Sequence, residues 1–345
     1  MSVTLKDIAV ELNLSIQAVS RGLRNMPDIG PDTTKLIHET AARLGYQKNY
    51  AASYIRTQKS MSLGIIIADI CNPLYSAIYK GIENVCANTD YALMLGNSNE
   101  NPQEEITVID NMLNHGVDGI FIVPSQKNSD SLSRLSTAEI PCVFLQREFK
   151  NSHMPFVYSD DYRGGYLAAK HLYSLGHRSF LYIAPPMYIS SAKERYDGFY
   201  AYLSEQNLTE DCICIIKCDA TRDGSYKAMS KWLKKQSNLK ALSVTAIFCF
   251  SDYIAYGVYS ALTKYNLHIP QDISVIGYDN NEYSDIIAPP LTTIDMCPHK
   301  IGKQSAELML KMIDGQELTE EQRQVLIEPK LILRNSSGVP CNKEN

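Results

Sequence analysis

Two short helical patterns open the chain. Apolar side chains recur at the three- and four-residue spacing of a helix with one buried face: Leu5, Ile8, Ala9 and Leu12. Residues 13–15 interrupt this pattern, and the Ser15 hydroxyl can cap a second helix that runs to about Leu23. Five side chains are expected on the outer face of the second helix: Ile16, Gln17, Ser20, Arg21 and Arg24. The pair is typical of a helix-turn-helix, although the pattern by itself also fits any small pair of packed helices.

A third helix is predicted from position 30. The glycine, proline and aspartate at positions 30–32 favour a helix start, and Gly45 favours its end. The apolar stripe of this helix comprises Leu36, Ile37, Ala41 and Leu44. Residues 1–46 are therefore predicted to form a three-helix headpiece, followed by the polar residues 47–60, a segment too short to be helical without a partner.

From Met61 the pattern changes to buried strands that alternate with helices. The strand-like stretches are SLGIIIADI, YALMLGNS, GIFIVPS, IPCVFLQR, SFLYIAP, CICIIKC, AIFCFS and ISVIGYD. This alternation predicts parallel sheets covered by helices, and its length of about 280 residues predicts two doubly wound domains. In such α/β folds ligands bind beyond the carboxyl ends of the strands.

The composition is that of a globular protein, and 345 residues favour two or three domains. The sequence contains neither a run of eighteen apolar residues nor a basic-then-apolar signal segment, so no membrane span or export is expected. Nine cysteines are scattered through apolar stretches, which favours reduced thiols in a cytosol. Cys212, Cys214 and Cys218 lie close together, but they alternate as in a strand and have no His or fourth Cys nearby. We therefore predict no metal site and no cofactor.

Charge is distributed unevenly along the chain. The net charge is −5, but residues 1–60 carry eight basic and five acidic side chains, which gives 8 − 5 = +3 and leaves −8 for the remainder. A basic head on an acidic body is expected of a protein with a DNA-binding appendage. No Walker loop, no G-x-G-x-x-G after a strand and no nucleophile elbow is found, so neither an enzyme nor a catalytic residue is predicted.

Sequence blocks along nearly the whole chain carry a resemblance to a known family. They include the head TLKDIAVELNLSIQAVSRGL, the segment LGYQKNYAASYIR, and then, in order, LGIIIADICNP, HGVDGIFIVPS, HLYSLGHR, ERYDGFYAYL, FCFSDYIAYGVYSAL, ISVIGYDNN and PPLTTI. With these blocks the chain resembles the lactose/galactose-repressor (LacI/GalR) family of bacterial transcriptional regulators. The resemblance implies a helix-turn-helix headpiece, a hinge helix, and a core like the periplasmic sugar-binding proteins, built from two doubly wound parallel-sheet subdomains.

The same resemblance implies domain boundaries. The headpiece would cover 1–46, the hinge helix or linker 47–60, and the effector-binding and dimerisation core 61–340. In such cores the chain crosses three times between subdomains, here near Asp160, near 289–290 and near 318–323. One subdomain would combine 61–160 with 291–320, and the other 161–290 with 321–340.

The resemblance assigns DNA contacts to the headpiece and hinge. Ile16, Gln17 and Arg21 would reach base edges in the major groove, where Gln pairs with adenine and Arg with guanine for about 1–3 kcal/mol of discrimination each. Hydroxyl groups expected to contact backbone phosphates are those of Thr4, Ser15, Ser20 and Thr33. The other predicted DNA-binding positions are Asn25, Tyr46, Asn49, Ala52 and Ile55.

Ile55 stands where the family places a leucine that wedges between base pairs in the minor groove. The alternative for Ile55 is ordinary packing of one hinge against its dimer mate. The chain departs from the family pattern at Ala18, where a threonine is usual, and at Lys48, where a proline is common. These departures put one backbone contact and the start of the hinge in doubt.

The resemblance implies an effector site between the core subdomains, formed by Tyr75, Asp160, Arg195, Asp252 and Asp279. The ring of Tyr75 would stack on the ligand, and the forked guanidinium of Arg195 suits two vicinal hydroxyls or a carboxylate. Asp252 and Asp279 would accept hydrogen bonds from sugar hydroxyls. Alternatively, Arg195 and Asp279 could form a satisfied ion pair that closes the cleft, and Asp160 could serve the crossover.

Three further departures concern the ligand. Gln146 stands where many members carry Asp, Cys297 where many carry Gln, and Ala220 where a purine-binding relative has an aromatic residue. Together they favour a sugar over a nucleobase, without identifying the sugar.

The predicted function is that of a cytoplasmic DNA-binding transcriptional regulator, in particular a repressor, associated with the nucleoid when bound. A small-molecule effector, in particular a sugar, would control its affinity for a near-palindromic double-stranded operator. The last residues, RNSSGVPCNKEN, lack a heptad repeat, so a homodimer rather than a tetramer is expected. The alternatives are a sugar-binding receptor without DNA function, or a regulator that responds to a nucleobase or to a protein co-effector.

Overall fold

The computed structural model describes residues 3–47, 59–127, 130–147, 153–239 and 242–340. The chain divides into two compact units, Met1–Ser60 and Met61–Asn345. We refer to them as the head and the core. The predicted hinge positions Asn49, Ala52 and Ile55 lie outside the described residues.

The head contains the three helices that the sequence predicts, α1 (Leu5–Leu12), α2 (Ile16–Gly22) and α3 (Pro31–Leu44). The Ser15 side chain accepts a hydrogen bond from the Ala18 amide at 3.0 Å and so caps α2. Gly30 precedes α3, and Gly45 ends it in the left-handed conformation at φ 72°. The caps therefore fix the helix ends where the sequence analysis placed them.

A small apolar cluster holds the head together: Ile8, Ala9, Val19, Ile37 and Ala41 are buried. The prediction was wrong for Leu36, whose side chain is 49% exposed. Residues 37, 40 and 41 share one face of α3, and a residue one step earlier is rotated by about 100° away from it. The buried stripe of α3 is therefore narrower than the apolar pattern indicated.

Six parallel strands of the described chain form the first sheet of the core, in the order β11-β5-β4-β3-β1-β2. They are β1 (Ser62–Ile67), β2 (Ala92–Asn97), β3 (Gly119–Ile122), β4 (Cys142–Leu145), β5 (Phe156–Ser159) and β11 (Gln324–Ile327). The helices of this part are α4 (Pro73–Cys86), α5 (Pro102–Asn114), α6 (Asp130–Thr137), α11 (Pro298–Ile313) and the short α12 (Glu320–Arg323). The central strands are buried throughout, as is typical of a parallel sheet between helices.

Four parallel strands form the second sheet of the core, in the order β7-β6-β8-β9. They are β6 (Phe180–Ala184), β7 (Ile213–Lys217), β8 (Ala246–Cys249) and β9 (Ser274–Ile276). The helices that alternate with them are α7 (Asp161–Ser174), α8 (Ser190–Glu205), α9 (Arg222–Leu233) and α10 (Asp252–Lys264). Two doubly wound subdomains, as predicted, are thus present in the core.

The third crossing between the subdomains differs from the prediction. Strand β11 pairs in parallel with β5 and belongs to the first sheet, whereas residues 321–340 were all assigned to the second subdomain. Beyond it, β12 (Lys330–Ile332) pairs antiparallel with β10 (Thr293–Asp295). Pro329 separates β11 from β12, and a proline lacks the N–H group that a continuous strand would need. The apolar stretch VLIEPKLILR (325–334) therefore contains parts of two strands, and the crossing falls after Ile327.

Helices α7 and α8 pack against each other with almost no space between their backbones. A Cβ atom at Gly198 would lie 1.8 Å from the carbonyl oxygen of Tyr162, and one at Gly165 would lie 2.0 Å from that of Arg195. Glycine at both positions is required for this approach, which places Arg195 of α8 beside the first turn of α7.

No helix of the described residues is long and apolar enough to cross a membrane.

Replacing Gly198 with alanine is expected to lower the free energy of unfolding by about 1–3 kcal/mol, because the added methyl group has to push α7 away. Urea denaturation followed by circular dichroism measures the change. Ser204→Ala, at an exposed position of the same helix, is the control and should stay within about 0.5 kcal/mol of the wild type. Equal stabilities of the two variants would contradict the close contact.

Candidate functional site

The predicted base-reading side chains Ile16 and Gln17 lie at the start of α2, and Arg21 lies in its last turn. Ile16 is 49% exposed, Gln17 is exposed, and Ser20 and Arg21 are half-buried. The side chain of Ser15 accepts from a backbone amide, which leaves its hydroxyl proton for an outside acceptor. This end of α2 therefore offers one apolar contact and two hydrogen-bonding side chains on one surface.

Arg21 has a partner within the head. Its Nε atom lies 2.6 Å from Oδ2 of Asp28, in the loop before α3. This contact raises the pKa of the Arg21 guanidinium and lowers the pKa of the Asp28 carboxyl. Both side chains are more than one-third exposed, so water screens the pair and it adds little to the stability of the head.

The other predicted DNA contacts of the head lie at helix ends. The amide and hydroxyl of Thr4 both donate to Asp7 Oδ2 at 2.7 Å, which closes the start of α1 and lowers the pKa of the Asp7 carboxyl. Asn25 adopts a left-handed conformation, and its Oδ1 lies 3.1 Å from Nε2 of His38. Thr33 is half-buried in the first turn of α3, and Tyr46 packs against the apolar cluster of the head.

The core contains a cavity of about 450 Å³ where the carboxyl ends of strands from both sheets meet. Its walls are formed by residues that follow β1, β2 and β4 of the first sheet and β6, β7, β8 and β9 of the second. Such a meeting point is the usual ligand site of open α/β sheets, and the volume suits a small organic molecule.

Arg195 lies in the wall of this cavity and is buried. Its Nε donates to Asp161 Oδ1 at 2.8 Å, and a terminal nitrogen donates to the carbonyl of Phe250. The guanidinium also lies over the ring of Tyr278, with 3.6 Å between its central carbon and the ring centroid. Burial by itself would lower the pKa of Arg195. The neighbouring negative groups, Asp161 first among them, raise the pKa by more than burial lowers it, so Arg195 stays charged.

Asp279 is a cavity residue whose burial and hydrogen bonding do not match. It is 1% exposed, and neither of its carboxylate oxygens accepts a hydrogen bond from a described residue. Its Oδ1 lies 3.6 Å from a terminal nitrogen of Arg195, close enough for an ion pair only. Burial raises the pKa of Asp279 well above its usual range. Both oxygens therefore have unused hydrogen-bond acceptor capacity within the described chain.

Tyr75, in the first turn of α4, is buried and forms part of the cavity wall, in line with the predicted stacking position. Burial raises the pKa of its hydroxyl, which is therefore neutral at physiological pH. The structure thus brings together three of the five predicted effector residues: Tyr75, Arg195 and Asp279.

Asp252 does not line the cavity, which differs from the prediction. It is fully buried, and its carboxylate accepts hydrogen bonds from the Asn281 amide, the Ser284 hydroxyl and the Thr293 hydroxyl at 2.8, 2.6 and 2.6 Å. Asn281 and Ser284 precede the second crossing between the subdomains, and Thr293 follows it. Asp252, at the start of α10, therefore links both sides of this crossing by hydrogen bonds. Burial raises the pKa of Asp252 to about 6 against the opposing effect of these donors.

Asp160 also lies outside the cavity wall. It precedes α7, where its carboxylate accepts from the Arg163 amide at 2.7 Å. The side chain thus caps α7 directly after the first crossing between the subdomains. This agrees with the alternative prediction that Asp160 serves the crossover. An acidic residue at the carboxyl end of a strand serves equally well as a helix cap and as a ligand contact, so the sequence did not separate the two.

The sequence analysis missed an ion pair in the cavity wall. Arg147, after β4, donates to both oxygens of Glu100, after β2, at 2.9 and 2.5 Å. Asp219, which follows β7, was missed as well. All three residues follow the carboxyl end of a strand, so the position of each strand end was the signal that could have identified them.

Neither of these surfaces offers a metal site among the described residues, where no cluster of His, Cys, Asp or Glu is placed to hold an ion. Cys212, Cys214 and Cys218 are free thiols in the described chain. The predicted strand position holds for Cys214 within β7, whereas Cys212 ends a short 3-10 helix (Glu210–Cys212) before the strand and Cys218 follows it.

Comparison with known proteins identifies a matching family. The family model described as "Periplasmic binding proteins and sugar binding domain of LacI family" matches residues 60–335. The HTH-type transcriptional repressor PurR of Actinobacillus pleuropneumoniae serotype 3 (strain JL03) is 31% identical over 333 residues, which are 96% of this chain and 98% of that protein. The protein of the same name from Glaesserella parasuis serovar 5 (strain SH0165) is 32% identical over 337 residues, with the same two coverages.

Solved structures agree with this fold. A LacI family transcriptional regulator from Enterococcus faecium with bound ribose has a TM-score of 0.72 at 28% identity and covers 81% of this chain and 99% of its own. The lac repressor dimer bound to operator and the anti-inducer ONPF has a TM-score of 0.83 at 23% identity, over 98% and 100% of the two chains. The predicted fold class, a helical head with a periplasmic-binding-protein-like core, is confirmed.

The hydrogen bonds of Asp252 predict a structural role. Asp252→Ala is expected to lower the free energy of unfolding by about 3 kcal/mol or more, because three buried donors lose their acceptor. Urea denaturation measures the loss, and the exposed Asp285→Ala is the control. The folded-state pKa of about 6 is raised, so in the wild type stability falls as pH rises from about 4 to 6. A variant as stable as the control would contradict the assignment.

Proposed function

The chain belongs to the LacI family of transcriptional regulators, and we propose that it is a DNA-binding repressor whose operator affinity is controlled by a sugar bound in the core cavity. The observation that carries the effector part is Asp279, a buried carboxylate in the cavity wall beside Arg195 whose oxygens accept no hydrogen bond from the described residues. A buried carboxylate without donors is costly, and adjacent hydroxyl groups of a sugar are the donors that it lacks.

The head supports the DNA-binding part. The start of α2 exposes Ile16 and Gln17, with Arg21 one turn further along, on a unit whose net charge is +3. In a major groove the amide of Gln17 would pair with adenine and the guanidinium of Arg21 with guanine. Ser15, Ser20 and Thr33 would add phosphate contacts that set the register of α2 on the duplex.

Two heads are needed for a specific site. Three helices with a small apolar cluster can bury only a short stretch of operator, so affinity and specificity would come from a homodimer on a near-palindromic duplex. The hinge residues Asn49, Ala52 and Ile55 would complete the contact in the minor groove. A protein of this kind acts in the bacterial cytoplasm, on the DNA of the nucleoid.

The cavity would act as the switch. Strand ends of both subdomains line it, so a bound sugar contacts both sheets and favours the arrangement in which both sets of contacts are made. A coupling of about 1–3 kcal/mol between the cavity and the operator suffices for a graded response. The sugar ring would stack on Tyr75, and its hydroxyls would form hydrogen bonds with the guanidinium of Arg195 and the carboxylate of Asp279.

Gln17→Ala is expected to weaken binding to the preferred operator by about 1–3 kcal/mol, because the amide pairs with one base. An operator is first enriched from a random duplex pool, and its affinity is then measured by fluorescence anisotropy at several salt concentrations. Gln103→Ala, an exposed glutamine of the core, is the control. Affinity should fall steeply with salt for both proteins. A wild type that enriches no sequence, or a flat salt response, would refute DNA recognition.

Asp279→Asn is expected to weaken sugar binding at least about tenfold, because an amide supplies one acceptor in place of two. Isothermal calorimetry with sugars that shift the wild-type melting temperature gives the affinities. Hydroxyl donors favour the ionised form, so wild-type affinity should fall as pH drops through the raised pKa of Asp279, and the variant should lose this dependence. Asp285→Asn, at an exposed site, is the control. Tight binding of a nucleobase instead of a sugar would overturn the effector proposal.

A further inference from the structure

Charged groups in the cavity wall are unequally matched. Among the described residues, four carboxylates line the cavity, and they belong to Asp69, Glu100, Asp219 and Asp279. Two guanidinium groups of the same described residues face them, those of Arg147 and Arg195. A ligand with a negative charge would therefore depend on these two cations, and their present partners decide whether they are available.

Arg147 is fully engaged by its own subdomain. The side chain is 4% exposed and makes two parallel hydrogen bonds to the carboxylate of Glu100, with a third to the carbonyl of Pro124 at 3.3 Å. Such a bidentate arrangement is the strongest that arginine forms with a carboxylate. Burial acts to lower the pKa of Arg147, and Glu100 more than reverses this effect. The pair presents no net charge to the cavity.

Arg195 is engaged as well. Its contacts to Asp161 and to the carbonyl of Phe250 occupy two of its nitrogens, and the terminal nitrogen that donates to Phe250 also lies 3.6 Å from Oδ1 of Asp279. Two carboxylates thus surround one guanidinium in a buried place. The group can still donate to a ligand hydroxyl, but the carboxylate of Asp161 is already placed to balance its charge.

Helix N-termini at the cavity are partly satisfied by the chain itself. Four helices of the described residues begin there, and a free amide in their first turns would attract a phosphate or carboxylate. One amide near the start of each helix already has a side-chain acceptor: Leu74 donates to Asn72 at 3.1 Å, Ser190 to Gln126 at 2.7 Å, Gly224 to Thr221 at 3.0 Å, and Ile254 to Ser251 at 3.2 Å. The caps reduce the positive potential that these helix ends direct into the cavity.

We propose that the cavity selects an uncharged sugar and rejects its phosphate and carboxylate derivatives, and that Glu100 sets this selectivity by neutralising Arg147. The inference rests on the proposed function, since it concerns the effector of the same cavity. A neutral sugar satisfies Asp279 with its hydroxyls, whereas a phosphate would be buried beside Asp69, Asp219 and Asp279 with no unengaged cation among the described residues of the wall.

The test compares sugars with their own charged derivatives on the full-length protein. Ribose, xylose, glucose, galactose and fructose are screened by thermal shift beside ribose 5-phosphate, glucose 6-phosphate, galactose 1-phosphate, fructose 1-phosphate and gluconate. Calorimetry then gives the affinity of each pair. For the parent sugar that binds, we expect its phosphate to bind at least about 100-fold more weakly to the wild type.

Glu100→Gln releases Arg147 for a ligand anion. The ratio of affinities, phosphate to parent sugar, is expected to rise at least about tenfold in this variant. Glu83→Gln, which removes a carboxylate on the surface of α4, changes the net charge equally and should leave the ratio unchanged. The wild-type ratio tests the proposal even where Glu100→Gln fails to fold.

Three results would overturn the selectivity. A phosphate that binds the wild type as tightly as its parent sugar would show that a cation is available. An unchanged ratio in a folded Glu100→Gln variant would remove Glu100 from the role. If no sugar, charged or uncharged, shifts the melting temperature, the sugar effector itself fails and the selectivity with it, which is distinct from failure through tight phosphate binding.

Discussion

The buried positive charge of Arg195 is the constraint on which the core depends. A guanidinium taken out of water is costly unless hydrogen bonds and opposite charge surround it, and this chain supplies both from several elements. Asp161 comes from α7, the carbonyl of Phe250 follows β8, and the face of Tyr278 follows β9. Helix α8 can deliver Arg195 to this place only because glycines let it lie directly on α7. The place where the second subdomain is most tightly fixed is thus also the wall of the ligand cavity.

Much of the fold was predictable because local sequence determined it. The caps at Ser15 and Gly45 and the buried strands of both sheets lie where composition and spacing put them. Leu36 and strand β11 were not predictable, for physical reasons. The exposure of Leu36 depends on how α3 is rotated against its neighbours, and the partner of β11 is a strand far away in sequence. Only the proline between β11 and β12 indicated locally that one strand would become two.

The candidate site shows the same division. The resemblance selected Tyr75, Arg195 and Asp279, which line the cavity, and it selected Asp160 and Asp252, which do not. What separates these aspartates is the set of donors around each one, which comes from distant segments. Asp252 has three donors and Asp279 has none within the described chain. A sequence shows where a carboxylate can stand, whereas the folded chain shows whether its oxygens are already used.

The Arg21–Asp28 ion pair has a consequence for how sharply the head can discriminate. If Arg21 reads guanine as proposed, binding exchanges one partner for another, and the guanine contact counts only by its excess over the carboxylate. Opposite a wrong base pair Arg21 still has a partner, because its ion pair with Asp28 can form again. The penalty for a mismatch at that position is therefore softened, and the head would tolerate a family of related half-sites there. Selectivity among operators then falls more heavily on Gln17 and on the paired arrangement of two heads.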